Sequence, residues 1–281
     1  MIREYRFKTI VSTIFALGLF NKAFRTAQNN TRIESEPICQ EGNHHLAIII
    51  PFKGRFPNLV TFLPHMERFL KKQEISHTFI LVSQVDIYRF NRASLINIGA
   101  IYARGFADYM VMHDVDLLPL SDHLSYCFPK LGPMHLATWA PGLNPGTKYE
   151  GYIGGIVVIT LEDFMRVNGM SNLYWGWGKE DDDFGARLRE EGLQVQRPHS
   201  YKCKMTFKDI HRSTRDDGSC KNQRRENREK ETGVHDVDYT IRSLKNFIIA
   251  STPIVVMNVE LKCDTNRTPW CICSNASSEV Q

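Results

Sequence analysis

The run Trp175-Gly176-Trp177-Gly178-Lys179-Glu180-Asp181-Asp182-Asp183 puts aromatic faces, pliable backbone and a block of carboxylates side by side. Alternating Trp and Gly is costly in any regular element, because glycine is disfavoured inside helices and strands. Indole rings supply flat apolar faces on which the C–H groups of a sugar can lie. The carboxylates then fall where a helix begins and backbone N–H groups point outward. As complements to the helix dipole each is worth only about 0.3–1 kcal/mol, and neighbouring like charges repel, so the cluster exceeds what the helix needs. A second carboxylate pair, Asp114-Val115-Asp116, is flanked by His113 and follows an apolar run. Two carboxylates at i and i+2 can hold a hard divalent cation, which then bridges a diphosphate. The competing role for that pair is a turn in which Asp satisfies loose backbone N–H groups.

These residues need elements to position them. Residues 46–52 (LAIIIPF), 78–85 (TFILVSQV) and 108–113 (DYMVMH) read as strands without polar alternation, as expected when helices cover both faces. Between them, Leu59, Phe62, Leu63, Met66, Phe69 and Leu70 recur at helical spacing, and a second helix spans 91–106. Strand–helix–strand–helix–strand predicts a doubly wound α/β fold, whose ligands bind beyond the carboxyl ends of the strands, where Asp114 and Asp116 stand. Residues 119–151 are rich in Pro and Gly and read as loop. A strand over 156–160, a short helix from Leu161, a helix over 180–191 and a strand over 254–261 complete the pattern.

Together these motifs resemble the β-1,4-galactosyltransferase family: Phe90-Asn91-Arg92, Asp114-Val115-Asp116, Tyr152-Ile153-Gly154-Gly155 and the Trp-Gly-Trp-Gly run. The stretches 113–120 (HDVDLLPL), 169–172 (GMSN) and 263–271 (CDTNRTPWC) are most similar to its xylosylprotein branch. The resemblance implies a GT-A-like nucleotide-sugar transferase fold with a mostly parallel central sheet. It further implies UDP-galactose as donor, Mn²⁺ as cofactor and β-xylose on a core protein as acceptor, in glycosaminoglycan linker synthesis. Carried over by position, Pro51, Phe52, Lys53, Arg55, Phe90, Asn91, Arg92, Val115, Asp116, Tyr152 and Trp177 line the donor, with Arg215 reaching the diphosphate. Trp177, Gly178, Glu180, Asp181 and Asp182 hold the acceptor, and Asp181 is the base. A bridge between Cys263 and Cys271 closes a short loop in the tail, and residues 144–155 are the candidate segment for closing over the donor. One departure stands out. The branch carries His-x-His after Phe and a basic residue; here the stretch reads Phe207-Lys208-Asp209-Ile210-His211. Asp116, Asp209 and His211 are the expected metal ligands, a harder set that admits Mg²⁺ beside Mn²⁺. Two other readings share the motifs: an enzyme acting on terminal N-acetylglucosamine, and a catalytically silent lumenal sugar-binding protein.

Composition sets the surroundings. The 281 residues suit one catalytic domain with short appendages, and a net charge of +4 gives no case for nucleic acid. The basic run 221–230 (KNQRRENREK) also contains two Glu and reads as a solvated face. None of the seven cysteines shows paired zinc spacing. The apolar run 10–20 (IVSTIFALGLF) falls short of the ~20 residues that span an average bilayer. By length alone it also fits the core of a cleaved signal peptide, but Lys8 and Lys22 can snorkel to extend it and no convincing cleavage site follows, so an uncleaved signal anchor is the expectation carried forward. With such an anchor, the resemblance implies a single-pass type II Golgi membrane protein. Residues 1–24 are then cytoplasmic tail and anchor, 25–43 a polar stem and 44–281 the lumenal catalytic domain. Sequons at Asn29, Asn266 and Asn275 fit that compartment.

Overall fold

β1 (His45–Phe52) is buried along nearly its whole length, and its alternate side chains enter two separate cores. Leu46, Ile48 and Ile50 pack with Leu59, Phe62 and Met66 of α1 (Phe56–Lys72). Ala47 and Ile49 pack with Leu95, Ile96 and Ala100 of α2 (Arg92–Ala103). The period-2 geometry of a strand between two helical layers therefore demands apolar residues at every position. In this computed structural model the described residues are 43–139, 153–198, 206–211 and 230–272.

β2 (Ser76–Gln84) and β3 (Tyr109–His113) lie parallel to β1 on either side. Downstream come β4 (Leu117–Pro119), β5 (Met134–His135), β6 (Ile156–Thr160), α3 (Leu161–Arg166), α4 (Glu180–Glu190), β7 (Phe207–Asp209), β8 (Tyr239–Ile249) and β9 (Thr252–Leu261). The large sheet runs β5-β6-β3-β1-β2-β9-β8. Its four middle strands are parallel, while β6, β5 and β8 join antiparallel at the flanks. β4 and β7 form a separate antiparallel ribbon.

The apolar pattern anticipates β1 to β3 with their helices, then β6, α3, α4 and β9. It passes over β4, β5 and β7, which are two or three residues long and show no period. The stretch expected as loop over 119–151 contains β5 and a 3₁₀ turn at Leu136–Trp139. β8 also escapes the pattern, for another reason: it is an edge strand exposed on both faces, and a bulge between Ile241 and Ser243 breaks its alternation.

The tail braces the top of the sheet. Cys263 and Cys271 are bridged, with Cα atoms 6.1 Å apart. The Trp270 indole N–H donates to the Leu173 carbonyl at 2.9 Å. Arg89 Nη1 donates to the Trp270 carbonyl at 3.1 Å, and the Arg89 backbone N–H to the Cys271 carbonyl at 2.9 Å. The loop after β2 and the loop before α4 are thus fastened to one bridged turn. Asn266 is exposed on that turn. Asn29, Tyr152, Arg215, Asn275, the basic run up to residue 229 and residues 144–152 lie outside the described residues. Among the described residues no helix is long and apolar enough to cross a membrane.

Candidate active site

Asn91 starts α2 as its N-cap: the side-chain oxygen accepts from the Ser94 N–H at 3.0 Å and the amide donates to the Asn172 carbonyl at 2.8 Å. Its side chain is fully buried in that task. Arg92, the first residue of α2, then turns its guanidinium under the end of β3. Nε donates to Asp114 Oδ1 at 2.8 Å, Nη2 to the Gly155 carbonyl at 3.1 Å, and Nη1 lies 3.9 Å from Glu180 Oε1. Burial works against the charge of Arg92, but Asp114 and Glu180 raise its pKa and hold it charged. Gly155 must be glycine for this to work. Its φ is +80°, and a Cβ there would stand 3.1 Å from Ala137 Cβ and Leu117 Cδ1.

The two Trp residues of the Trp-Gly-Trp-Gly run part company. Trp175 is 3% exposed and packs into the core, whereas Trp177 is 94% exposed. Gly176 makes the turn between them at φ +84°, donating to the Phe90 carbonyl at 2.7 Å; a Cβ there would fall 1.9 Å from Arg89 Nη2. α4 then opens with its four carboxylates, and these divide as well. Asp183 points inward and pairs with Arg187 at 2.9 Å, both buried. Arg187 Nη2 also donates to the Thr232 carbonyl at 2.8 Å, so this member of the quartet is structural. Glu180 Oε2 is buried and has no hydrogen-bond partner among the described residues. Burial pushes the Glu180 carboxyl up to about 7, against the pull of Arg92 and with the charge of Asp181 adding. The Asp181 carboxyl is raised too, by burial first and then by Asp182. An orphaned buried oxygen calls for a donor that the described residues do not supply, such as a hydroxyl group.

Asp116 has other partners than Asp114. The β4–β7 ribbon sets Leu117 against Asp209, and the Ile210 N–H donates to the Asp116 carbonyl at 2.8 Å. Asp116 Oδ2 thereby comes within 2.8 Å of His211 Nδ1. Arg55 Nη1 stands 3.2 Å from that oxygen and 2.8 Å from that nitrogen. Asp209 turns Oδ1 to the His211 N–H at 2.7 Å. Among the described residues no cluster of three His, Cys, Asp or Glu side chains forms. The Asp116 carboxyl is raised by burial and by Asp114, while His211 and Arg55 act in the opposite direction. One carboxylate oxygen and one imidazole nitrogen converging on a point form a borderline-hard donor pair, which fits Mn²⁺.

The remaining expected residues frame this centre. Pro51 and Phe52 close β1, buried. Lys53 Nζ donates to the carbonyls of Asp86, at 3.0 Å, and Tyr88. Val115 is buried between the two aspartates, Phe90 meets Gly176 through its carbonyl, and Gly178 takes φ +95° beside Trp177. Two positioning residues were not legible in the motifs. Asp86 accepts from the Tyr88 N–H at 2.9 Å and the Leu261 N–H at 2.8 Å, and Asn172 accepts from both Asn91 and Asn97. The Gly-Met-Ser-Asn stretch was the available signal for Asn172; for Asp86 there was none.

Beneath the strand end, His113 is fully buried, with Nε2 3.0 Å from the Tyr126 hydroxyl and Nδ1 2.9 Å from the Asp114 carbonyl. Burial pushes its pKa down to about 4, and that of buried His135 to about 3. Both lie below the ~6.5 of an unfolded histidine, so the unfolded chain binds more protons in between. Stability is therefore full above ~6.5 and is lost as pH falls toward 4. Between pH 7 and 5 each histidine should remove about 2 kcal/mol. Thermal unfolding followed at pH 7, 6 and 5 checks this, and a flat profile contradicts it.

The mostly parallel sheet carries the Asp116–His211 pair just past β3, and Arg92 ties Asp114 at the same strand end to Glu180 at the start of α4, an arrangement that suits a nucleotide-sugar transferase of the GT-A type. Residues 16–128 match the family described as the N-terminal region of glycosyl transferase group 7, and residues 134–211 match the N-terminal domain of galactosyltransferase. The chain is 46% identical over 249 residues to β-1,4-galactosyltransferase 7 of Drosophila melanogaster, across 85% of this chain and 77% of that protein. It is 41% identical to xylosylprotein 4-β-galactosyltransferase of Caenorhabditis elegans, across 85% of this chain and 86% of that one. It also superposes on a crystal structure of the Drosophila enzyme, an Asp-to-Asn variant with manganese, UDP-Gal and xylobiose. There the TM-score is 0.76 at 46% identity, over 82% of this chain and 100% of the other. The chain belongs to the β-1,4-galactosyltransferase family.

Proposed function

We propose that this chain is a xylosylprotein 4-β-galactosyltransferase, moving galactose from UDP-galactose to the 4-hydroxyl of β-xylose on a core protein. The observation that carries this reading is Arg92. One buried guanidinium joins Asp114 at the end of β3 to Glu180 at the start of α4. The strand end and the acidic helix start are therefore two walls of one site.

In the α-linked donor the leaving UDP and the incoming hydroxyl occupy opposite faces of C1, so a single displacement gives the β product. Asp181 takes the proton from the acceptor 4-hydroxyl as that oxygen attacks C1, its raised pKa making it a better base than an ordinary Asp. Trp177 offers its exposed indole as the platform for the sugars. Glu180, Asp182 and Gly178 hold acceptor hydroxyls beside it. Pro51, Phe52, Lys53, Phe90, Asn91 and Val115 shape the donor side around Arg92, with Arg55 at the diphosphate. Asp116 and His211 hold the divalent cation, which neutralises charge on the departing diphosphate when bound. A UDP-release assay on a β-xyloside tests the activity directly.

Asp209 is the third expected ligand, and it distinguishes this chain from its branch. Its Oδ1 accepts from the His211 N–H at 2.7 Å, so as a ligand it would have to bring its other oxygen to the cation beside Asp116 and His211. Two carboxylates and one imidazole should discriminate less against Mg²⁺ than a pair of imidazoles. Activity is expected with Mn²⁺, measurably also with Mg²⁺, and Asp209→His should shift selectivity toward Mn²⁺. Identical metal titrations for the two proteins would make Asp209 a bystander. The lumenal placement of the catalytic domain in the Golgi, the anchor over residues 1–24 and the stem over 25–43 belong to the same proposal. The apolar run between basic flanks and the clustering of sequons at the two ends support it.

A further inference from the structure

Arg55 Nη1, Asp116 Oδ2 and His211 Nδ1 form a triangle with edges of 3.2, 2.8 and 2.8 Å. Three hydrogen bonds cannot satisfy it. A guanidinium nitrogen only donates, a carboxylate oxygen only accepts, and a neutral imidazole nitrogen does one or the other. If Nδ1 accepts from Arg55, it faces Asp116 as a second acceptor; if it donates to Asp116, it faces Arg55 as a second donor. The first arrangement leaves two lone-pair donors converging on one cation, and that cation is the guanidinium. Arg55 is suited to leave. It follows Gly54, which adopts φ +67°, its side chain is about one-third exposed, and it has no ion-pair partner besides Asp116 among the described residues.

Resting on the assignment of Asp116 and His211 as metal ligands, we infer that Arg55 is a built-in counter-cation for this pair, which the divalent cation must displace. Displacement frees the guanidinium for the diphosphate that arrives beside the metal. Arg55 is then a positioning residue with two alternating partners. While Arg55 holds the pair, the metal site is closed and the diphosphate lacks its cation. Once the metal holds the pair, both are open.

The two tasks give Arg55 removal opposite signs. In Arg55→Met, Mn²⁺ binding to the nucleotide-free protein should tighten by about five- to tenfold, because a competing, partly exposed ion pair and a repelling positive charge are both gone. UDP binding to the Mn²⁺-saturated variant should weaken by at least about tenfold, as a charge-assisted contact is lost. Calorimetric titration with Mn²⁺ alone, then with UDP at saturating Mn²⁺, reads both without turnover. Arg55→Lys keeps the charge on a shorter reach and should fall between wild type and Arg55→Met in both titrations. Mn²⁺ affinity that is unchanged or weaker in Arg55→Met overturns the inference, as does a Lys variant outside that order. Asp116→Asn run alongside separates the two layers. If it loses Mn²⁺ binding while Arg55→Met is unchanged, the counter-cation role alone fails. If it binds Mn²⁺ like wild type, the ligand assignment fails and the inference with it.

Discussion

Replacing Asp181 by Asn should lower galactosyl transfer by about 10²–10⁴-fold while UDP binding stays within about twofold of wild type. The amide keeps the shape of the side chain and can still accept at Oδ1 from the Asp182 N–H, which the carboxylate does at 2.9 Å. What it loses is basicity. Asp183 is locked to Arg187 and Glu180 is held against Arg92, which leaves Asp181 and Asp182 to move a proton, and of these Asp181 has its carboxyl raised by burial. A second consequence follows from the lost charge. Asp181 is one of the influences raising the Glu180 carboxyl, so the Asn variant should ionise Glu180 at lower pH. Near-normal turnover in the variant contradicts the assignment; loss of UDP binding in parallel with turnover would mean that the donor side has collapsed.

The largest loss of stability is expected from Arg92→Met. The guanidinium is buried among the Asp114 carboxylate, the Gly155 carbonyl and Glu180. Methionine fills much of the volume but leaves the buried Glu180 and the partly exposed Asp114 without their cation; breaking a buried pair from one side typically costs about 3–5 kcal/mol. For a domain of this size that lowers the thermal midpoint by roughly 6–20 °C. Lysine should rescue little, because one ammonium cannot reach three partners laid out for a fork. Adding Asp114→Asn to Arg92→Met removes one orphaned charge and should restore about half the stability but no transfer. A midpoint for Arg92→Met within about 2 °C of wild type would show that the network holds nothing together.

How much of this was legible in the sequence depended on whether a residue's signal was local. The parallel middle of the sheet was readable because strands covered on both faces are apolar at every position, as in residues 46–52. β8 was not, because an exposed edge strand carries polar residues on both faces and a bulge resets its phase. In the site, the Trp-Gly-Trp-Gly-Lys run announced itself through residues that suit no regular element, and Gly176 and Lys179 do take positive φ. Composition alone could not separate Trp175 from Trp177, one a core residue and the other exposed at the surface. The same limit applied to Asp114-Val115-Asp116, which reads as one cation-holding pair. Asp114 is in fact committed to Arg92 and Asp116 to His211 and Arg55, partners that are far apart in the chain and visible only once it folds.

The most direct test of the whole account is the acceptor. With UDP-galactose and Mn²⁺ held constant, UDP release should be measured on an aryl β-xyloside and on the matching β-N-acetylglucosaminide, with the linkage of any product read by NMR. The account predicts rapid release on the xyloside, a β-1,4 galactosyl–xylose product and at most a few per cent of that rate on the N-acetylglucosaminide. Equal rates, a preference for the N-acetylglucosaminide, or no transfer to either would contradict it.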